Sequence, residues 1–395
     1  MRLVNTIHLI ITLITTTQLQ NNTPRKIRNK LWLNNKSGKF FFLLFVTMFL
    51  LGGIQNTKGL ILEQVQHDIS LNMSQVGSLI TFFQIGFLVA SLLTGYFTDK
   101  KGLKVMMFIG SLMMAVGLTG TSLAFNVMLF FGFYLVIGLG IGSMLVSIVT
   151  VIPTFYKEKA GMMFNVSNAM FGVGMIVTPL ILQYLFSHSI SWRTFYVGVA
   201  VIVAVIILVL STLKIENSAQ VDMKFSDFLE LLTQKSLLLV ILFITLYVAA
   251  EAAFLNFFPI FYTSMDIGNM SNAQKAETAA YVISSFAFLF TIGRFIGGFI
   301  NLALGDRKTL ILFSLFSLIA IIVSRIFVQD VVYLFMVFGF ALSVLFPTAA
   351  AVATKLTSKS GSVMGLIYVA SGLGGALAGS LIGQVSESYN VFCWL

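Results

Sequence analysis

From Phe40 onward the chain is a series of eleven long apolar stretches separated by short polar punctuation. A helix needs roughly 20 apolar residues to cross a bilayer, and backbone that enters lipid must satisfy its own hydrogen bonds as a helix or a closed barrel. The stretches read as spans at about 40–62, 75–98, 103–124, 127–152, 160–187, 191–213, 236–263, 279–304, 308–328, 331–355 and 360–386, each long enough to cross with some tilt. Hydrophobic residues make up 58% of the chain and charged residues 10%, which excludes the soluble classes. The expected fold class is an all-α integral membrane protein with eleven transmembrane helices.

The flanks differ from this pattern. Residues 1–39 carry a short apolar run, Ile7 to Ile14, too brief to span, followed by Arg25, Lys26, Arg28, Lys30, Lys36 and Lys39. They are expected to form a disordered, basic cytoplasmic tail. The chain ends at Val391-Phe-Cys-Trp-Leu395, where a twelfth helix would begin, so the expectation is a twelve-helix protein lacking its last helix, the other reading being a true eleven-helix variant. With the N-terminus placed inside, nineteen of the 24 basic residues fall in inner segments; only Lys58, Arg193, Lys275 and Arg325 fall outside, and Arg294 lies within a span. This asymmetry predicts a cytoplasmic N-terminus and accounts for the net charge of +10 without a nucleic-acid partner. One cysteine, Cys393, excludes an internal disulfide, and the three histidines are too scattered for a metal site.

Between the second and third spans stands Gly95-Tyr-Phe-Thr-Asp99-Lys100-Lys101-Gly102-Leu-Lys104. Two helices that reverse within a few residues need glycine for backbone freedom and close approach, which Gly95 and Gly102 supply. Asp99 puts a fixed negative charge where it can accept hydrogen bonds from the N-terminus of a neighbouring helix. The pattern Gly-x-x-x-Asp-[Arg/Lys]-x-Gly-x-[Arg/Lys] resembles the signature loop of the major facilitator superfamily, with Val105 where a further basic residue is usual. The resemblance implies that Asp99 meets the backbone around Ser360 and Gly361 in the eleventh span and latches one side of the protein shut. The other reading is a positively charged turn alone.

A degenerate second copy, Gly297-Gly298-Phe-Ile-Asn301 with Gly305-Asp306-Arg307-Lys308, stands between the eighth and ninth spans, with Asn301 at the aspartate position. The longest later hydrophilic stretch, Lys214 to Lys235, separates six spans from five, and its Phe225, Phe228, Leu229 and Leu232 follow the spacing of an amphipathic helix lying on the inner surface. The expected organisation is a tail (1–39), a six-helix half (40–213), a linker (214–235) and a five-helix half (236–395), with two pseudo-symmetric halves as the resemblance implies.

No hydrolytic, redox or nucleotide-binding motif occurs in the sequence, so neither enzyme chemistry nor direct ATP drive is expected, and no cofactor. Ionisable groups inside a bilayer are costly and therefore candidates for function. Among the acidic residues only Glu251 falls deep in a span, about 22 Å from its start at 1.5 Å per residue, where it suits proton uptake and release. Its other reading is an interhelical packing contact. Arg294 is the one deep cation, placed to pair with Glu251 or with an anionic substrate, or else to snorkel toward the second signature copy. Gln55 and Lys58, three residues apart, share a face of the first span; Gln84, Asn165, Asn168 and Asn256 are further cavity candidates or interhelical glue. Pro179, Pro259 and Pro347 are candidate kinks, and the glycines from Gly361 to Gly383 permit close sliding of the last span.

Ala250-Glu251, Phe257-Phe258-Pro259 and Ser343-Val-Leu-Phe346-Pro347-Thr348 resemble the fucose, glucose and galactose permease branch of the superfamily. Proton-coupled sugar permeases of that branch carry acids near Lys58–Gly59 and near Ser143; this chain has neither, which leaves Glu251 as the coupling candidate. The expected function is alternating-access transport of a small polar solute, a sugar or organic acid, coupled to protons. The expected partners are that solute, protons and the lipid bilayer, for a monomer in the cytoplasmic membrane. Two rivals are an efflux antiporter, against which stands the absence of a Gly-Pro-x-x-Gly-Gly run around Gly172 and Pro179, and a non-transporting or decayed membrane protein.

Overall fold

The computed structural model describes residues 35–56, 61, 64–65, 68–69, 73–156, 159–213, 225–267, 270–328 and 331–388. Contacts divide the chain into two units, residues 1–44 and 45–395. Of the first, the described part is the start of one helix, and the site lies wholly in the second.

The helices are α1 (Asn35–Asn56), α2 (Met73–Lys101), α3 (Leu103–Leu123), α4 (Val127–Phe155), α5 (Ala160–Ser187), α6 (Trp192–Thr212), the short α7 (Phe225–Leu231), α8 (Lys235–Ser264), α9 (Asn272–Leu304), α10 (Asp306–Ile326), α11 (Phe335–Leu342), α12 (Leu345–Lys355) and α13 (Ser360–Ser388). Among the described residues ten helical segments are long and apolar enough to cross a membrane, and α1 adds a shorter apolar stretch, Phe42–Gln55. Every span expected from the sequence meets one of these, with α11 and α12 sharing the tenth. The first begins earlier than expected, because Asn35–Lys39 are already helical. Residues 1–34 of the expected tail and 389–395, where a twelfth span would start, lie outside the described residues.

Burial separates helices that line the interior from those that face lipid. The spanning part of α4 is 83% buried, as an all-round apolar helix in the middle of a bundle should be, whereas that of α8 is 22% buried. Leu238, Leu239, Leu242 and Leu246 of α8 are exposed at helical spacing and form an apolar stripe suited to acyl chains. The opposite face of α8 enters an aromatic core, with Phe254 stacked on Phe286 of α9 at 4.8 Å and on Phe335 of α11 at 5.5 Å between centroids.

The two halves meet through matching helices. The second spanning helix of the first half, α2, packs against the fifth of the second half, α13, and the fifth of the first half, α5, packs against the second of the second half, α9. That reciprocity is the pseudo-symmetry the sequence repeat predicts.

The three candidate prolines behave differently. Helix α11 stops at Leu342 and α12 starts at Leu345, so the chain breaks just before Pro347, which lacks an N–H and crowds the carbonyl four residues back, that of Ser343. Pro179 and Pro259 lie inside α5 and α8, which run on unbroken, so the expected kinks there are not breaks. The amphipathic linker helix forms as α7. Phe228 and Leu231 are its buried residues, Phe228 meeting Tyr96 of α2 edge-on at 6.2 Å, while Leu229 and Leu232 are exposed.

Candidate functional site

A cavity of about 350 Å³ lies between the halves, lined from α1, α2, α4 and α5 on one side and from α8, α9, α12 and α13 on the other. Its α8 wall is one stripe at helical spacing, Val248, Glu251, Ala252, Leu255 and Asn256. Gln55, Gln84 and Asn168 face them from the first half and Arg294 from α9. The fold thus brings together the coupling candidate Glu251 and five of the seven cavity candidates, Gln55, Gln84, Asn168, Asn256 and Arg294. Asn165 is the exception. It is fully buried away from the cavity, and its Nδ2 donates to Gly161 O at 2.8 Å and to Thr348 Oγ1 at 3.1 Å, joining α5 to α12. Lys58 lies outside the described residues.

Glu251 is half-buried at the cavity wall and interacts electrostatically with Arg294, yet no ion pair within 4.0 Å joins these two described residues. Arg294 is only 7% exposed. Its Nη1 makes one long contact with Asn168 O at 3.5 Å, its guanidinium lies over the Phe290 ring at 4.3 Å, and its Nε has no hydrogen-bond partner. The side chain therefore ends at the cavity and does not reach back to the second signature copy. The Tyr247 hydroxyl, one turn before Glu251, interacts with both Glu251 and Arg294 without making a hydrogen bond of standard geometry to either. Gln55 Oε1 is likewise buried and unpartnered. Buried polar atoms without partners are uncommon in native proteins, and here Arg294, Tyr247 and Gln55 cluster at one cavity and its rim.

Aromatic rings complete the wall. Tyr368 meets Phe87 edge-on at 6.3 Å and Phe346 at 6.0 Å, and Phe346 lies 6.2 Å from Tyr247. The sequence reading missed Tyr247, Phe346 and Tyr368. Only Tyr247 carried a usable signal, its four-residue spacing from Glu251. Ser143, near one of the positions where sugar permeases of the resembling branch carry an acid, is buried and shares a 2.6 Å hydrogen bond with Thr94.

At one end of the cavity-lining helices lies the latch. Helix α2 continues through Lys101, so Asp99 sits in its last turn and Gly102 alone links it to α3. Asp99 Oδ1 accepts from Gly361 N at 3.0 Å and Oδ2 from Ser362 N at 2.7 Å, which places the contact one residue further along than Ser360–Gly361. These N–H groups belong to the first turn of α13, where helix ends leave donors free and attract negative charge. Gly95 makes the approach possible, since a Cβ there would stand 2.7 Å from Gly361 O and 3.0 Å from Gly365 Cα. Gly102 holds a φ of 96°, a conformation glycine adopts without strain. Lys104 Nζ donates to Ser211 O at 3.2 Å and Leu213 O at 2.7 Å, capping the C-terminus of α6. Lys100 lies over the Tyr96 ring at 5.6 Å.

The second copy is built from different atoms. Asn301 Nδ2 donates to Asp306 Oδ1 at 3.0 Å, Asp306 pairs with Lys355 at the end of α12, and both Asn301 and Asp306 pack over Gly161 at the start of α5.

Two helical halves with a polar cavity between them, and a hydrogen-bonded contact from Asp99 to the start of α13, are the architecture of a membrane transporter. The chain belongs to the Major Facilitator Superfamily, whose sequence profile matches residues 41–379. It is 21% identical over 361 residues to the Protein TsgA homolog of Buchnera aphidicola subsp. Baizongia pistaciae, covering 88% of each chain. Among solved structures it is similar to the E. coli fucose:proton symporter FucP, with a TM-score of 0.75 and 20% identity over 88% of this chain and 92% of that one. It is also similar to the proton:xylose symporter XylE, with a TM-score of 0.67 and 12% identity over 92% of both chains.

Proposed function

We propose that this chain is a proton-coupled secondary transporter that moves a small polar solute across the cytoplasmic membrane by alternating access. The reading rests chiefly on one observation: among the described residues one carboxyl, Glu251, reaches a cavity that also holds the Arg294 guanidinium and the neutral hydrogen-bonding amides of Gln55, Gln84, Asn168 and Asn256. Amides suit hydroxyl groups of a sugar or hydroxy acid, and a carboxyl beside the solute can exchange a proton with whichever side the cavity faces. The Asp99 latch would open as the halves rock, with the N-terminus in the cytoplasm as the distribution of basic residues implies. The six-helix and five-helix halves would move as the two bodies, and a monomer suffices because both walls of the cavity come from one chain.

The test is uptake by proteoliposomes across hexoses, deoxyhexoses and small carboxylates, with and without an inward proton gradient. Gradient-stimulated uptake is expected for the native protein and not for Glu251→Gln. Stimulation that survives in Glu251→Gln would remove this residue from the coupling.

A further inference from the structure

We propose that Arg294 and Tyr247 form a carboxylate-binding subsite, so that the transported solute is a small polyhydroxy acid whose negative charge is carried together with one proton on Glu251. The proposal rests on the transport reading above and narrows it from sugars and organic acids to the acids.

A guanidinium removed from water must regain hydrogen bonds and a counter-charge, or the fold bears a large penalty. Arg294 has recovered little of this. It is only 7% exposed, its Nε is unpartnered, its Nη1 contact with Asn168 O is at the 3.5 Å limit, and its guanidinium lies over the face of Phe290, which interacts with charge but accepts no in-plane hydrogen bond. The donors left over form the planar fork that fits a carboxylate with two parallel bonds. Tyr247 adds a hydroxyl beside Arg294 and Glu251 that makes no hydrogen bond of standard geometry. The amides on the opposite wall then meet the hydroxyl groups of the same solute, and Phe87, Phe346 and Tyr368 cover its apolar ring or chain.

The charges on the page also explain how solute and proton would be tied together. Facing Glu251 are Tyr247 from its own helix and Arg294 from α9; Tyr368 of α13 lines the same cavity and interacts with Arg294, and the described residues of α1, α2, α5 and α12 present amides and aromatic rings to it. Among the described residues one cation, Arg294, would therefore serve two carboxylates, that of Glu251 and that of the solute. When Glu251 is ionised it competes for Arg294 and repels the solute; when it is protonated, Arg294 is free for the solute. Binding of the proton and of the acid each strengthen the other, as linkage requires. The loaded cavity carries one proton and one negative solute more than the empty one, a net change of zero, so each cycle is electroneutral.

The test uses matched pairs of probes that differ in the acid group: D-glucuronate and D-glucose, D-gluconate and D-sorbitol, D-glycerate and glycerol. In detergent, the acid of at least one pair is expected to raise the thermal stability of the native protein and the neutral partner not to. Arg294→Gln should weaken that binding by about thirtyfold or more, as loss of one member of a buried charge pair does, and Arg294→Lys should restore part of it, which controls for folding. In proteoliposomes, uptake of that acid should rise with an inward proton gradient and be indifferent to an imposed membrane potential.

Stabilisation by no acid, equal stabilisation by acid and neutral partner, or full binding by Arg294→Gln would each overturn the subsite. Uptake of D-glucose without D-glucuronate would overturn it while leaving transport standing. Binding of an acid that depends on Arg294, without uptake in any direction, would support the subsite and overturn the transport reading. Potential-driven uptake of the acid would overturn the one-proton pairing.

Discussion

Replacing Asp99 with asparagine tests whether the latch holds the halves together or merely decorates a turn. The carboxylate accepts two backbone N–H groups at 3.0 and 2.7 Å, and the charge of Lys359 acts on it as well. An asparagine keeps one acceptor and turns an NH2 group toward the other donor. A hydrogen bond to a charged group contributes about 1.5–3 kcal/mol net, and an anion at a helix N-terminus about 0.3–1 kcal/mol. The substitution should therefore weaken the closed state by about 2–4 kcal/mol, which shifts the closed-to-open ratio by roughly thirtyfold to several hundredfold. Spin labels at Lys100→Cys and Ser358→Cys, both exposed positions flanking the latch, would report it by pulsed electron resonance in a Cys393→Ser background. The parent should show a short, narrow distance distribution and Asp99→Asn a longer, broader one. Identical distributions would refute the argument, because a contact of this strength cannot be lost without moving the equilibrium it biases.

Other substitutions separate packing from function. Gly132 and Gly138 lie on α4; a methyl at Gly132 meets nothing within 4 Å, while one at Gly138 runs into the carbonyl oxygen of Phe83. Gly132→Ala should be neutral or stabilising by up to about 1 kcal/mol and Gly138→Ala destabilising by about 1–3 kcal/mol, read by unfolding in detergent. Asp306→Asn should perturb the halves less than Asp99→Asn, by about 1 kcal/mol or less, since its Lys355 partner is nearly half exposed; added salt should mask the loss. Arg193 donates through Nη1 to Ser122 O at 2.7 Å and Ala124 O at 2.8 Å, the end of α3, so Arg193→Gln should lower thermal stability by about 1–3 kcal/mol while leaving solute affinity unchanged.

The parts of this fold that could be read from sequence are those where the bilayer or a backbone constraint leaves one solution. Apolar length gave the helices, because lipid admits few alternatives. The contact of Asp99 with the start of α13 was legible from Asp99, Gly95 and Gly102 because charge, close approach and positive φ each demand a residue type. The cavity was legible only through its polar members. In a chain with 39 phenylalanines, nothing in the local pattern distinguishes Phe346, which lines the cavity, from Phe335, which packs in the core. Asn165 and Asn168 look alike in sequence, yet the three-residue offset between them sends one to Thr348 and the other to the cavity. Proline was an incomplete guide for the same reason: Pro347 coincides with a break and Pro179 does not, and the difference lies in the neighbours that accept or refuse a distortion.

The one-residue joint between α2 and α3 has a mechanical side. Gly102 offers a single pair of torsions to absorb movement, and Lys104 ties the start of α3 to the last carbonyls of α6. A pull on Asp99 is thus hard to dissipate in slack chain. It would become torque on α2 and pass through Gly102 to α3 and through Lys104 to α6, so that the three helices would respond as a stiff lever whose handle is Asp99 and whose other end, carrying Gln84 and Phe87, lies against the cavity.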